Sequence, residues 1–595
     1  MEEEQKGWKQ LRAVTLDRKK YAKRMRKVEN ATKRHAHRFI IKRIDNIRLV
    51  AREITTWLVL LGMLIAGLGV QLFWSQGGYM ATASRTGGVY VEGAIGEIKS
   101  VNPLFVSTNA EASVARLVFS SLYGYDTTGH LKQDLSTGTS VDEAGRVYTV
   151  TLRKNAKWHD GKPVTAKDVV FTINLIKNPA VYSPLRVNWL DVSVAALNDT
   201  TVQFTLPAVY AAFPYALTFP IVPEHLLKDV SPSAVRENAY SQAPVGSGPF
   251  KFRRVQESDS ATSHRAVHLQ ANPDYYAGAP KLSRFELHAY PNEEAVVKAV
   301  NAGELTGASD ISISAVQDVK SKQVKITPVS LDSGVYLLFN TKSPILSDAN
   351  VRKGLQLATD SVAIRKQLGG GVKPLAGPLL ASQLSGTDVP AEPVIDVKRA
   401  GEVLDAAGWS MSGSARVKGE QKLEFTVTTT KKKEYENILK TLQDQWRKIG
   451  VKLTVNSIDS SSNASSSFDQ NVLQGRNFDI LLYELAIGAD PDVYAYWYSS
   501  SHYNFSGYSN TLADTSLVSA RSRLEPELRN AKYKQFVSQW YSDAPAIALY
   551  QPAIEYVSLK EVEAVKPGLS LVSNADRYSD VIYWTVASDT VYKTP

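Results

Sequence analysis

Between residues 54 and 74 the chain reads ITTWLVLLGMLIAGLGVQLFW, 21 residues without a charge. At ~1.5 Å per residue, a helix of that length covers ~31 Å, one hydrocarbon core. Such a segment must be either a membrane span or the central helix of a large soluble core. Its flanks favour the span. Trp57 lies near one end and Phe73 and Trp74 at the other, where amphipathic rings prefer the membrane interface. Residues 1–52 hold 17 Lys/Arg against 6 Asp/Glu, which predicts a cytoplasmic tail (1–53) and an exterior location for everything after about residue 75. Ala81 and Ala83 form an A-x-A pattern of the kind cleaved in signal peptides. The basic stretch is long, however, and the apolar run exceeds an ordinary signal core, so retention as an anchor is expected. Phe39, Ile40, Ile44, Ile47 and Val50 recur at helical spacing among basic residues, fitting either a helix on an anionic leaflet or a solvated arm.

Beyond the tail the charge nearly balances, with 52 basic residues against 53 acidic. The net +10 of the 595-residue chain is therefore local, and a nucleic-acid-binding body is not expected. With no cysteine, disulfides, thiolate metal sites, a cysteine nucleophile and a lipid-modified cysteine are all excluded. H-E-x-x-H, G-x-S-x-G, the P-loop and the dinucleotide fingerprint are all missing, and the nine histidines are scattered or lie in the basic tail. These absences predict no catalytic residues, no metal site and no cofactor. Glu293 and Glu294 are adjacent, so on a helix they point to different sides, and acids in a first turn suit the helix dipole.

After the glycine breaks at 77–78 and 87–88, strand and helix patterns alternate to the C-terminus without a repeat period. That describes an α/β body too large for one core. Residues 146–153 (RVYTVTLR) alternate like a strand, and Asp160-Gly161 supplies a turn. Thr165 and Asp168 form a capping box before VVFTINLI. Asn292 can open a helix that Gly303 ends. Tyr435, Ile438, Leu439, Leu442, Trp446 and Ile449 form one helical stripe, stopped by Gly450 and followed by the strand VKLTV. The serine-rich stretch 457–467 reads as an exposed loop.

Residues 483–508 place eight aromatics in 26 positions, including Tyr494 and Trp497. Such rings suit either the rigid wall of a ligand cleft or a packed lobe edge. Asp490, followed by Pro491, suits a helix start as well as a ligand contact. In a strand over 478–486, Glu484 shares a face with Phe478, Ile480 and Leu482. A carboxylate in an apolar row either serves a cleft or lies past the buried part of the strand.

These segments together resemble the oligopeptide/dipeptide solute-binding proteins, the family 5 receptors of ATP-driven (ABC) importers. The similarity runs from about residue 88 to about residue 585. It includes SVNPLF (100–105), LYGYDTTG (122–129), KWHDGKPVTAKDVVFTI (157–173), GSGPFKF (246–252) and NPDYY (272–276). It continues through LLFNTKSPILSDANVRKGLQLATD (337–360), DVKRAGEVLDAAGW (396–409), LQDQWRKIGVKL (442–453), FDILLYE (478–484) and APAIALY (544–550). The most specific element is W-x-D-G-x-P-V-T-A-x-D-V-V-F, and the order and spacing of the rest add to it.

The resemblance implies an α/β, two-lobed, hinged clamshell of the periplasmic-binding-protein kind with an additional small domain, preceded here by the one transmembrane helix at 54–74 and a linker at 75–84. By analogy lobe I combines residues 85–124, 221–345 and 548–595, the extra domain is 125–220, and lobe II is 346–547. Peptide-binding members follow a strand-end aromatic with an Asp, three positions before the Asp-Pro pair, that binds the peptide α-amine. The matching positions here are Glu484 and Ile487, so the usual salt bridge has no acid. Tyr336, Asn340, Tyr550 and Gln551 fall in segments that approach the cleft in the family.

The expected protein is thus a membrane-anchored extracytoplasmic receptor, single-pass with its N-terminus inside. It would pass a small solute, peptide or peptide-like, to permease and ATPase subunits and catalyse nothing. A surface-anchored carboxylate hydrolase and a non-transport adhesion or scaffold protein on the same fold are the alternatives, separable by binding without turnover, by turnover, or by neither.

Overall fold

The computed structural model describes residues 18–36, 38, 42–257, 265–384, 391–459 and 468–592. They divide into two units. One holds helices Arg18–Ala36 and Lys42–Tyr79, and the other spans Ser84–Asp589. Within Lys42–Tyr79 the window Ala51–Leu72 has a mean hydropathy of 1.8 and none of it is buried. Among the described residues this is the one helix long and apolar enough to cross a membrane. Residues 39–41, and most of 457–467, lie outside the described residues.

The α/β unit is built on two large mixed sheets. The first has eight strands in the order Ser570–Leu571, Val324–Leu331, Ala553–Leu559, Gly307–Ile311, Val89–Ile95, Arg284–Tyr290, Arg265–Ala271 and Phe250–Glu257. The second has five, in the order Lys452–Ile458, Glu424–Thr430, Ile480–Ala486, Ser333–Phe339 and Ala546–Tyr550. A separate four-stranded antiparallel sheet, Ser136–Val141, Val147–Leu152, Thr201–Thr205 and Ser193–Asn198, carries helix Ala166–Lys177. The chain passes from the first large sheet to the second at Asp332 and returns at Gln551-Pro552. Strand Ser333–Phe339 thus pairs inside the five-stranded sheet, Tyr336 opposite Tyr483 and Val335 opposite Glu484.

Ser333–Phe339 is buried along its whole length because both faces of its sheet are covered. Val335, Leu337 and Phe339 enter one core with helix Lys433–Arg447, while Tyr336 and Leu338 enter another with Trp497 and Trp540. This is the period of two expected of a strand, read out as two separate cores.

Local signals set the helix ends. The Asp168 carboxylate accepts from the Thr165 N–H at 2.8 Å and its hydroxyl at 3.1 Å, opening Ala166–Lys177. Asn292 accepts from the Ala295 N–H at 3.0 Å, and Gly303 closes that helix at φ 75°, where a side chain would be strained.

Candidate functional site

A cavity of about 820 Å³ opens where residues 187–216 face residues 487–522. One wall is the turn beyond strand Ile480–Ala486. Ile487 and Gly488 both donate their N–H to the Asp332 carbonyl, at 3.0 and 2.8 Å, which ties this turn to the point where the chain changes sheets. The opposite wall comes from the small domain. Trp189 is buried there, packed edge-on to Phe219 at 4.9 Å and to Phe213 at 6.1 Å. A second cavity of about 520 Å³ adjoins the first through Tyr125, Trp189 and Tyr215.

Charged groups on this wall are neutralised in pairs. Asp490 is bidentate to Arg529, both contacts at 2.5 Å, with only 7% of its side chain exposed. Asp492 lies 3.0 Å from Arg521, whose guanidinium sits between the Tyr210 ring at 4.7 Å and the Tyr494 ring at 4.4 Å. Desolvation lifts the Asp492 carboxyl above the usual carboxylate range, and Arg521 opposes that rise only in part. For Arg521 burial works against the charge, but Asp492 and Tyr210 outweigh it and raise its pKa. The Ala211 N–H also donates to the Arg521 carbonyl at 2.8 Å, so small domain and five-stranded-sheet half meet at this residue.

Of the residues singled out in the sequence, Ile487, Asp490 and Tyr494 lie on the cavity wall. Asp490 caps no helix: its carboxylate accepts from the Asp492 N–H at 3.0 Å, and the short helix Tyr494–Trp497 starts later. Trp497 is 1% exposed and packs edge-on against Trp540 at 5.5 Å and Tyr336 at 6.0 Å. Tyr336 donates its hydroxyl to the Gly377 carbonyl at 3.1 Å, below the cavity surface. Asn340 finishes its strand, donating to the Phe478 carbonyl at 3.0 Å. Gln551 donates to the Leu331 carbonyl at 2.9 Å, beside the return crossing.

Glu484 lies at a different corner. Its face of the strand is that of Ile480 and Leu482, and beyond that core it accepts from the Ser333 hydroxyl at 2.7 Å, 3.9 Å from the Lys432 ammonium. About a third of its side chain is exposed. Tyr550 donates its hydroxyl to Glu434 in the same corner, where burial raises the Glu434 carboxyl. Tyr210, Tyr215, Trp189 and Arg521 were not singled out. The run Tyr210, Phe213, Tyr215, Phe219 was the available signal, and nothing local marks Arg521.

Residues 130–507 match the profile of the family described as bacterial extracellular solute-binding proteins, family 5 Middle. The chain belongs to this family. As a family 5 protein it is similar to the oligopeptide-binding protein AppA of Bacillus subtilis, 27% identical over 502 residues that cover 81% of this chain and 89% of that one. It also resembles protein XP55 of Streptomyces lividans, 26% identical over 451 residues covering 72% of this chain and 77% of that one. Among solved structures, the ABC transporter substrate-binding protein CtaP of Listeria monocytogenes superposes with a TM-score of 0.73 at 26% identity, over 84% of this chain and 99% of that one. NikZ of Campylobacter jejuni, in complex with Ni(L-His), gives 0.68 at 26% identity, over 84% and 99%. The family 5 architecture of two mixed α/β sheets is therefore the fold of this chain, and an extracellular solute-binding family places its α/β body outside the cytoplasm.

Proposed function

We propose that this family 5 protein is the membrane-anchored receptor of an ABC importer, and that it encloses a peptide or peptide-like solute between two lobes and presents the closed form to permease and ATPase subunits. The observation that carries the reading is the 820 Å³ cavity between the small domain and the turn at 487–492. It falls within the ~300–1,000 Å³ typical of small-molecule sites. The chain's similarity to an oligopeptide-binding protein supports a peptide-like solute. The exposed apolar window Ala51–Leu72, with its basic N-terminal flank, supports anchoring by residues 54–74 and an inside tail.

In this proposal the lobes follow the sheets, and the crossings at Asp332 and Gln551-Pro552 are the hinge. Tyr494, Ile487 and Asp490 belong to the solute wall, Tyr336 and Trp497 support it from behind, and Glu484 and Tyr550 form a polar corner of the cleft. Asn340 and Gln551 hold strand ends in place.

The test is mass spectrometry of small molecules that co-purify with the full chain, followed by titration of what is found. Saturable binding with the solute recovered intact is the expected result. Turnover would make the protein a hydrolase, and a chain that retains and binds no solute would leave the scaffold reading.

A further inference from the structure

The charged side chains on the cavity wall have partners or water. Asp490 is held by Arg529, and Asp492 and Arg521 hold each other between two tyrosine rings. In the adjoining cavity Arg116 lies 3.8 Å from Asp134, and Asp576 accepts from the Ser573 N–H and hydroxyl at 2.9 and 2.8 Å. Asp191, the other acid on the wall, is exposed to solvent. The uncharged surface is apolar in the places that matter for contact: Ile487 is 6% exposed, whereas Val187 and Val518 are 78% and 46% exposed.

A free ammonium or carboxylate entering this space would lose its hydration and find Asp490, Asp492 and Arg521 already paired and Asp576 already hydrogen-bonded, while the solvent-exposed Asp191 offers only a water-screened charge, an unfavourable transfer. An apolar body would cover Val187 and Val518 and lie against Tyr125, Tyr210 and Tyr215, which gain contact area at little conformational cost. We infer that the solute class of this cleft is uncharged and largely apolar, a peptide blocked or cyclised at its ends or a compound of similar size without free ionic groups. This rests on the receptor reading above and narrows it. Arg521 is then a positioning residue, holding Tyr210 and Tyr494 as one wall.

The experiment presents the full chain, in detergent, with a mixed-sequence pool of apolar tetrapeptides in four forms: free at both ends, N-acetylated, C-amidated, and blocked at both. The retained fraction is read by mass spectrometry and confirmed by calorimetry on single compounds. Doubly blocked peptides should bind at least tenfold more tightly than the same sequences as zwitterions. Zwitterions binding as tightly or more tightly would overturn the uncharged class while leaving the receptor reading in place. Retention of no form would count against that reading and remove this inference with it. A second measurement uses Ile487→Asp, which puts an unpaired acid on the wall and should shift retention toward peptides with a free amine. If Ile487→Asp folds, shown by an unchanged circular dichroism spectrum, and its selectivity does not move, the location of the site is wrong.

Discussion

At the scale of single residues, two buried carboxylates behave in opposite ways. Asp490 is held by a bidentate partner, and removing it strands the Arg529 charge in a place where only 14% of that side chain is exposed. Asp490→Ala should therefore lower unfolding stability by about 3–5 kcal/mol, measured by denaturant titration, and Arg529→Leu in the same chain should restore much of the loss. Glu555, on strand Ala553–Leu559, has an Oε2 with no hydrogen-bond partner among the described residues, and desolvation alone pushes its pKa from 4.5 to about 7. Because the folded-state value lies above the unfolded one, the bound proton stabilises the fold fully below about pH 4.5, and that contribution is lost as pH rises through about 7. Glu555→Gln should consequently flatten the loss of stability across that window and make the variant more stable than the parent at pH 8. Equal pH profiles would show that water reaches the carboxylate.

Single elements start where short-range chemistry tells them to, but some of those signals carry long-range load as well. Thr165→Ala removes half of a capping box and should cost about 1 kcal/mol. Asp168 does more. Its carboxylate also accepts from the Glu224 N–H at 2.9 Å and the Trp158 indole N–H at 3.3 Å, tying helix Ala166–Lys177 to two other segments. Asp168→Ala should then cost two to three times as much as Thr165→Ala, since it leaves buried donors without acceptors. Matched denaturation curves for the two variants decide this, and equal costs would reduce Asp168 to a cap. Helix Lys433–Arg447 shows the same division of labour. Its stripe Tyr435, Ile438, Leu439, Leu442, Trp446 is buried as the spacing requires, yet Glu434 in its first turn is held by Tyr550 from a different sheet strand.

The whole molecule adds two expectations. Basic residues before position 53 should keep the tail inside, so protease added to intact cells should remove the α/β body. Protection of that body until the membrane is opened would reverse the proposed orientation. A solute selective for the closed form, supplied at ~100 times its dissociation constant, should stabilise the α/β body by about 2.7 kcal/mol. Small-angle scattering should register compaction at the same time. Tight binding without a change in shape would remove closure as the signal to the permease, because a ligand with equal affinity for two states shifts neither.

Much of this is legible in the linear sequence. The charge-free run at 54–74, the helix starts at Thr165 and Asn292, the stop at Gly303, and the family resemblance depend on neighbours within a few positions or on the order of motifs along the chain, whereas the helix expected to run to Gly450 ends earlier, at Arg447. Short-range propensity and hydrophobic period are properties a linear string contains. The partners of the polar groups are not. Nothing near Asp490 marks Arg529, 39 positions on, as its counterion, and nothing near Arg521 marks Tyr210 as the ring over which it lies. Eight aromatics at 483–508 read alike in the sequence, but Trp497 went into a core and Tyr494 onto a cavity wall. Glu484 and Ile487, three positions apart, came to face different corners. Those outcomes follow from how two sheets and a small domain pack together, since desolvation and charge pairing are decided by what is brought within a few ångströms in space.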